Sequence, residues 1–510
     1  METLPPYRYL SPPATVPRFD IMEWFLEAPP HHVANPFLDA QLSGVIITPR
    51  GQEIIITGFC DSEDGSLYRL RFMPAQEGDY RYRLCFQSGD RIVRTQGTFR
   101  CVPSTRPGVV RVDPDHPRHF LREDGSRVFV LSKTAWLLAV AKNALDFIDQ
   151  AAARGFNCLR FALETDYFFT EVGKDVWPWG GSRLIPDFTR FAVRFWQRVE
   201  ALIQRAAQRG ILMQPVIFCR LRREPPAPIP DPEMERYWDY LLARLSSFAN
   251  ILAWELFNEH AEDRPYQAYM ASYLRTHDPY RHLICTSFGT TEDAAWPDAE
   301  WLDLAINHSC TSSDPARHGL DTYYRRVALN VRRYGKPAWC NESGRERLHG
   351  NDDPVHRRKQ AWIWNISGAY WSYHTWAGCE GIETGSWGPG EEYYRYMRPF
   401  WETWTRWWEM EPDELGILAR PRSDFAYLLR SKKEAVVYLV NELSGAITPA
   451  GELALILPAG EYELAFYYPA DGQYRAVAGI WQTSADGILT VHVPAFTDDL
   501  IVHLKRVDGR

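Results

Sequence analysis

The sequence predicts a three-part chain: an all-β sandwich, a central (β/α)8 barrel and a second all-β sandwich. Three observations carry that prediction. The first hundred residues alternate apolar and polar with turn signals between short runs; from about residue 120 to 412 the rhythm becomes strand, loop, amphipathic helix; after "WETWTRWWEMEP" the alternation returns. At 510 residues the chain also exceeds what one hydrophobic core organises.

Within residues 1–105, strands are expected near 52–59, 66–73, 79–86 and 91–101, separated by "DSEDGS", "PAQEGD" and "QSGD". These make an antiparallel sandwich. The proline-rich stretch "CVPSTRPGVVRVDPDHPRHF" then reads as a linker over residues 106–119.

Residues 120–412 form the barrel unit. Helix "ALDFIDQAAARG" leads into "FNCLRFAL", "RFAVRFWQRVEALIQRAAQRG" into "ILMQPVIF", and "YYRRVALNVRRYG" into "KPAWCNES". Each helix ends in a glycine, at 155, 210 or 335, as a left-handed C-terminal cap requires. Strand candidates are "RVFVLSKT", "FNCLRFAL", "ILMQPVIF", "ILAWELFNE", "HLICTSF", "LDLAINH", "PAWCNES" and "GAYWSYH", short apolar runs suited to parallel strands buried on both faces. A doubly wound open sheet is the alternative, but no glycine-rich phosphate loop follows any strand. Residues 413–510 supply seven further alternating runs with turns such as "PAGE" and "PADGQ", a second sandwich; "PFWETWTRWWEM" is expected as the last barrel helix, packed against it.

Composition narrows the function. With 57 basic against 65 acidic residues the net charge is -8, which gives no electrostatic footprint for nucleic acid or an anionic membrane. The partner expected is a neutral one. No basic-then-apolar leader opens the chain and no uncharged apolar run approaches a membrane span, so a soluble, cytoplasmic protein is expected. The nine cysteines are scattered singly without a CxxC pair, which points to free buried thiols; neither a metal nor a cofactor is called for. The sequons at Asn341 and Asn365 fall in segments expected to be buried. Aromatic residues reach 14%, with 20 Trp; most serve cores, yet their flat faces also suit sugar rings. The two sandwiches offer ample surface for a homo-oligomer.

In a (β/α)8 barrel the active face is built from the C-terminal strand ends. There the sequence places Lys133, Thr134 and Trp136 after strand one, Arg160 on strand two followed by Glu164 and Asp166, and Asn258-Glu259 on strand four. Asn307-His308 end strand six, Asn341-Glu342 end strand seven, and Trp371, Tyr373 and His374 lie on strand eight. Two strands three apart both end in Asn-Glu, which sets the carboxyls on facing walls. One carboxyl to protonate a leaving oxygen and one to attack or stabilise an anomeric carbon is the requirement for glycosidic hydrolysis. Arg160 would keep one of them ionised. Glu255, one turn deeper in the strand, reads as a buried structural carboxylate that meets Arg160.

"WELFNE" and "PAWCNES" resemble the paired motifs of the clan GH-A glycoside hydrolases, such as family 5. The resemblance implies a retaining β-glycosidase with Glu259 as acid/base, Glu342 as nucleophile, Asn258 as donor to the sugar 2-hydroxyl and Arg160 in "NCLRF" as the partner of Glu342. Trp371 resembles the strand-eight tryptophan that floors the first sugar subsite, and His308 the strand-six histidine; Trp136 and Tyr373 complete the expected substrate contacts. The aromatic residue usual two positions after that histidine is Cys310 here, which leaves Tyr373 or Tyr370 as candidates for its contact with the nucleophile. The stretch "NPFLDAQLSGVIITPRGQEIIITGF" is similar to a module of unassigned function that precedes clan-A-like barrels in bacterial proteins. The competing reading is a non-catalytic carbohydrate-binding or adhesive protein on the same scaffold.

Overall fold

The computed structural model describes residues 7–165, 176–182, 185–219, 221, 228–289, 291–309, 319–344, 352–375 and 387–507. Two sheets open the chain. One runs in the order Arg8–Tyr9, Met22–Glu27, Leu67–Phe72, Phe59–Cys60, and the other Thr15–Pro17, Arg91–Val102, Gly78–Ser88, Ala40–Ile47, Glu53–Thr57. Trp24, Leu26, Leu70, Leu84, Phe86 and Phe99 fill the space between them. The expected linker is not a free tether. Val110–Val112 pairs with Phe120–Arg122, and Val110 and Phe120 are buried in the same core as the barrel, Phe120 lying 4.9 Å from the ring of Tyr370. Its prolines punctuate a hairpin that plugs the N-terminal end of the barrel.

The eight barrel strands are β1 (Leu131–Thr134), β2 (Cys158–Ala162), β3 (Leu212–Phe218), β4 (Ala253–Phe257), β5 (Leu283–Cys285), β6 (Ala305–His308), β7 (Ala338–Glu342) and β8 (Tyr370–Tyr373). They form one parallel sheet in the order β5-β4-β3-β2-β1-β8-β7-β6. Every residue of β2, β3, β4 and β7 is buried, which is why these runs read as almost continuously apolar. Between β5 and β6 no ladder forms; the seam is held by Asp303, whose main-chain N–H donates to Ile284 O at 2.9 Å and whose carboxylate accepts from Ile284 N at 2.7 Å.

The helices are α1 (Ala144–Ala153), α2 (Val193–Gln208), α3 (Pro232–Leu245), α4 (Arg264–His277), α5 (Arg326–Arg332, entered through a π-helical turn Leu320–Arg325), α6 (Pro354–Ile366) and α7 (Tyr394–Pro399). Local chemistry starts α3: Asp231 caps it by accepting from Met234 N, Pro232 fills the first position and Glu233 and Glu235 meet the positive end of the dipole. The glycines expected to end α1, α2 and α5 do so at positive φ, +91, +69 and +73 for Gly155, Gly210 and Gly335. At Gly155 a side chain is excluded twice over, since a Cβ would meet Arg395 Cα at 2.6 Å. The crossover from β5 to β6 departs from the expected rhythm: its described residues contain no helix, and Ala294, Ala299 and Leu302 pack into the core in its place.

A six-stranded and a three-stranded sheet follow, the first in the order Glu411–Pro412, Phe425–Arg430, Glu434–Val440, Asp499–Arg506, Glu461–Tyr468, Gln473–Gln482 and the second Ile417–Ala419, Gly451–Ile456, Ile488–Val493. The stretch after α7 packs between barrel and sandwich, Trp401 stacked on Phe129 at 5.3 Å and Phe400 against Tyr467 at 4.7 Å. No described helix is long and apolar enough to cross a membrane. All seven described cysteines are free thiols, and Asn341 and Asn365 are buried, so neither sequon is open to a sugar.

Buried charge welds the first sandwich to the barrel. Arg244 of α3 donates to Glu200 of α2 at 2.6 Å and to Asp61 of the sandwich at 2.7 Å, and Arg71 of the sandwich reaches Glu200 at 2.9 Å. Burial by itself raises the pKa of Glu200, but the two guanidinium groups outweigh it and hold the carboxyl below its ordinary value. A group depressed in the folded state contributes stability above its unfolded pKa and loses it as pH falls through the folded value. Glu200→Gln is therefore expected to cost about 3–5 kcal/mol at neutral pH, read by urea unfolding, and the deficit should shrink as the medium is acidified. A deficit that is independent of pH would show that Glu200 acts by packing alone.

Candidate active site

Arg160, at the centre of β2, is fully buried and carries four hydrogen bonds. Its Nε and Nη2 donate to Glu255 Oε2 and Oε1 at 2.7 and 2.8 Å, its Nη1 to Glu342 Oε2 at 2.9 Å, and Nη2 also to Asn258 Oδ1 at 2.6 Å. Burial opposes the positive charge, yet Glu255 and Glu342 overcome that penalty and hold its pKa above the usual arginine value. Glu255 also accepts from Gln214 Nε2 at 2.8 Å, Ser287 Oγ at 2.8 Å and Asn341 Nδ2 at 3.1 Å. A carboxylate so completely occupied is an anchor, with no lone pair left over for substrate. Trp136 lies beneath Arg160, the guanidinium 4.9 Å from its ring, and closes that wall with Ala162, Val216 and Cys219.

Glu342 and Glu259 sit above this anchor and differ in surroundings. Glu342 has 8% of its side chain exposed; Glu259 has 32%. Glu259 is one of the few non-glycine residues at positive φ, +50, a conformation that costs about 1–3 kcal/mol. Neighbouring bonds over-determine it: Glu259 N donates to Ser287 Oγ at 3.1 Å, and the next residue, His260, donates to Ser287 O at 3.0 Å. His308 stands between the carboxylates, Nδ1 3.2 Å from Glu259 Oε1 and 3.8 Å from Glu342 Oε2. A bulge explains how β7 presents two polar residues in succession. Asn307 opposes Cys340 and His308 opposes Glu342, so Asn341 is the extra residue, and both it and Glu342 turn into the barrel.

Strand parity decides which expected contacts reach this space. Just past the end of β8, His374 turns inward, its Nδ1 3.5 Å from Glu342 Oε1. Trp371 and Tyr373 have the opposite parity and face the helix layer. Trp371 is fully buried, its ring 6.2 Å from those of Trp364 and Tyr324 and its indole N–H on Tyr394 Oη at 3.0 Å; a side chain enclosed in this way floors no sugar subsite. Tyr373 donates to Pro389 O at 2.6 Å and lies beside Lys133, which pairs with buried Glu391. Tyr370 is turned to the other end of the barrel, its hydroxyl 2.9 Å from His119 Nδ1. Neither tyrosine contacts Glu342. Cys310 and Asp166 lie outside the described residues. Glu164 accepts from the main chain of Cys219 and Leu221 and so holds the loop after β3. Trp177 and Trp179 are buried, and Trp387 stacks on Phe147 at 4.8 Å. These loop tryptophans pack the scaffold.

The structure thus brings Glu259, Glu342, Asn258, Arg160, His308 and Trp136 together and leaves out Trp371 and Tyr373. Ser287 and Gln214 are supports that strand-end motifs did not signal, while Asn341, from the Asn-Glu end of β7, serves Glu255 as a third. Among the described residues, Glu259, His308 and Glu342 form the one group able to share a cation, each offering an atom within 4.8 Å of the others. The guanidinium 2.9 Å from Glu342 opposes a second positive charge there. The nearby thiols are inert, since burial pushes Cys340 up to about 12 and Cys285 well above the ordinary value. A cavity of about 580 Å³ lined by Phe19, Arg106, Gln208 and Phe248 also includes the start of β3, at the opposite end of the barrel from the carboxylates.

Residues 115–407 match the Apiosidase-like, catalytic domain. The chain belongs to the apiosidase-like family. Residues 15–87 match a domain of unknown function, DUF5060. A candidate glycoside hydrolase from Bacteroides vulgatus ATCC 8482 superposes with a TM-score of 0.75 at 20% identity, covering 97% of this chain and 100% of that one. A family 5 glycoside hydrolase from the same organism gives 0.60 at 18% identity over 78% of this chain and 94% of its own. These likenesses are of fold, and they make the central unit of this apiosidase-like protein a glycoside-hydrolase-like barrel. No curated protein matches the sequence.

Ser287→Ala removes the acceptor that holds Glu259 at positive φ and one of the donors to Glu255. Stability should fall by about 1 kcal/mol. Turnover of any substrate should fall by about 10-fold, because a small misplacement of a reacting group is magnified in rate. Urea unfolding and steady-state rates check the two effects separately; unchanged turnover would show that Glu259 is held without Ser287.

Proposed function

We propose that this protein is a retaining β-glycoside hydrolase in which Glu342 is the nucleophile and Glu259 the acid/base. The observation that carries the reading is the spacing: an oxygen of Glu259 and one of Glu342 lie within 4.8 Å. Facing oxygens this close favour double displacement, in which the carboxyl groups as a whole stand about 5–5.5 Å apart, over the inverting route, which needs about 6.5–9.5 Å to seat a water. Surroundings divide the roles. Arg160 stabilises the ionised form of Glu342, whereas among the described residues no guanidinium pairs with the more exposed Glu259.

The cycle follows from these positions. Glu342 attacks the anomeric carbon while Glu259 gives its proton to the leaving oxygen; Glu259 then takes a proton from water as the water displaces Glu342. Asn258, fixed through its carbonyl oxygen by Arg160, is placed at the end of β4 beside Glu259, where its amide is the proposed donor to a sugar hydroxyl. His308 orders Glu259 and borders the sugar site, and Trp136 backs Arg160.

A panel of aryl glycosides, with an apioside included for the family's description, tests the reading. Glu342→Ala should lower kcat by at least about 10³-fold, and azide should restore turnover with inverted product. Glu259→Ala should leave kcat/KM nearly unchanged on a dinitrophenyl glycoside, whose leaving group needs no proton, while kcat falls there because the second step loses its base, and both should fall severely on an alkyl glycoside. A Glu342→Ala variant as active as the wild type would sink the mechanism, and sugar binding without turnover by the wild type would favour the carbohydrate-binding reading.

A further inference from the structure

The second oxygen of Glu342 lies beside a buried histidine. His374 sits where β8 leaves the barrel, its side chain 3% exposed, with Nδ1 3.0 Å from Ser343 O and 3.5 Å from Glu342 Oε1. A carbonyl oxygen only accepts, so the bond to Ser343 requires Nδ1 to carry a proton in both charge states of the ring. That N–H donates to the carbonyl, and the carboxylate oxygen of Glu342 lies 3.5 Å from the same nitrogen.

The ring is held from several sides. His374 N donates to Ser343 Oγ at 3.0 Å. Arg357, fully buried in the first turns of α6, donates to Gly344 O and to His374 O, which joins the ends of β7 and β8 on either side of Glu342. Its guanidinium rests 4.4 Å from the Tyr373 ring, so the outward parity of Tyr373 supports the clamp. The resemblance to clan GH-A implies an aromatic hydroxyl on the nucleophile, but the sequence has Cys310 at that position, and Tyr370 and Tyr373 donate or pair elsewhere.

We propose that His374 is the positioning residue for the nucleophile, its Nδ1–H holding Glu342 Oε1 while Arg160 holds Oε2. The inference rests on Glu342 being the nucleophile. Its kinetic consequence lies in the second half of the cycle. When water attacks, the anomeric carbon–oxygen bond to Glu342 breaks, the electron pair returns to the carboxylate, water supplies the new oxygen and its proton goes to Glu259. A donor waiting at the returning charge accelerates that departure.

The test uses the full chain and a dinitrophenyl glycoside. His374→Phe should lower kcat and KM together, on the order of 10-fold, with a pre-steady-state burst as the glycosyl-enzyme accumulates, and should raise the acid limb of kcat/KM by about one pH unit. His374→Asn, which keeps an N–H near Nδ1, should recover most of both and shows in addition that the position tolerates change. Phe and wild-type profiles that coincide, or an Asn variant as slow as Phe, would overturn the assignment. A readout without turnover separates the two readings: in long-range proton–nitrogen spectra of histidine-labelled protein, the Nδ1–H signal lost in His374→Asn should move on Glu342→Gln. If that signal is absent or unmoved, His374 does not serve Glu342; if it responds while no glycoside is hydrolysed, the glycosidase reading is the one that fails.

Discussion

A guanidinium with no solvent around it must be neutralised by neighbours, and at Arg160 that requirement organises the barrel. Moving an ion of this size out of water costs several kcal/mol even after relaxation, and only close carboxylates with their own donors offset it. Glu255 supplies the deep partner and Glu342 the shallow one, from β4 and β7, so one residue on β2 ties three walls together. Asn258 joins as a fourth contact. The register of those strands cannot slip without stranding a buried charge, and the site inherits its geometry from that restriction.

The departures from regular structure gather around this pivot. The sheet lacks a ladder between β5 and β6, the crossover there lacks a helix in its described residues, β7 carries a bulge at Asn341, and Glu259 lies at φ +50. Each places a polar side chain where ideal geometry would not. Ser287 comes from the irregular chain after β5, Glu342 is turned inward by the bulge, and the left-handed turn points Glu259 across to His308. Local rules are broken where chemistry requires it and kept elsewhere.

Rigidity is supplied from outside the barrel. The Arg244–Glu200–Arg71 network fixes the first sandwich to α2 and α3, and Arg358 of α6 pairs with Asp499 of the second sandwich at 2.5 Å. The same helix α6 carries Arg357, whose reach to Gly344 and His374 sets the spacing of β7 and β8. The C-terminal sandwich is thereby in mechanical contact with the strand ends that hold Glu342, through one helix. Both flanking units limit how far the supporting elements can shift.

Much of this was legible in the residues. Apolar runs of strand length, separated by amphipathic helices ending in Gly155, Gly210 and Gly335, determine a parallel sheet wrapped by helices, because strands buried on both faces must be apolar throughout and a helix can stop there only in a left-handed turn. The two Asn-Glu strand ends and Arg160 were visible for the same reason: polar groups at the end of a buried strand stand out. Period-two parity could also be counted, but not which parity faces inward, since both faces of such a strand are apolar. That is why Trp371 and Tyr373, aromatic and rim-adjacent in sequence, turned out to serve the helix layer, while His374, named beside them on the rim, and Ser287, unremarkable in its stretch, line the site. Strand sequence alone determined the scaffold and the facing carboxylates; tertiary structure decided the donors that hold them, because a hydrogen bond between strands far apart in the chain exists only once the sheet has curved and its register is set.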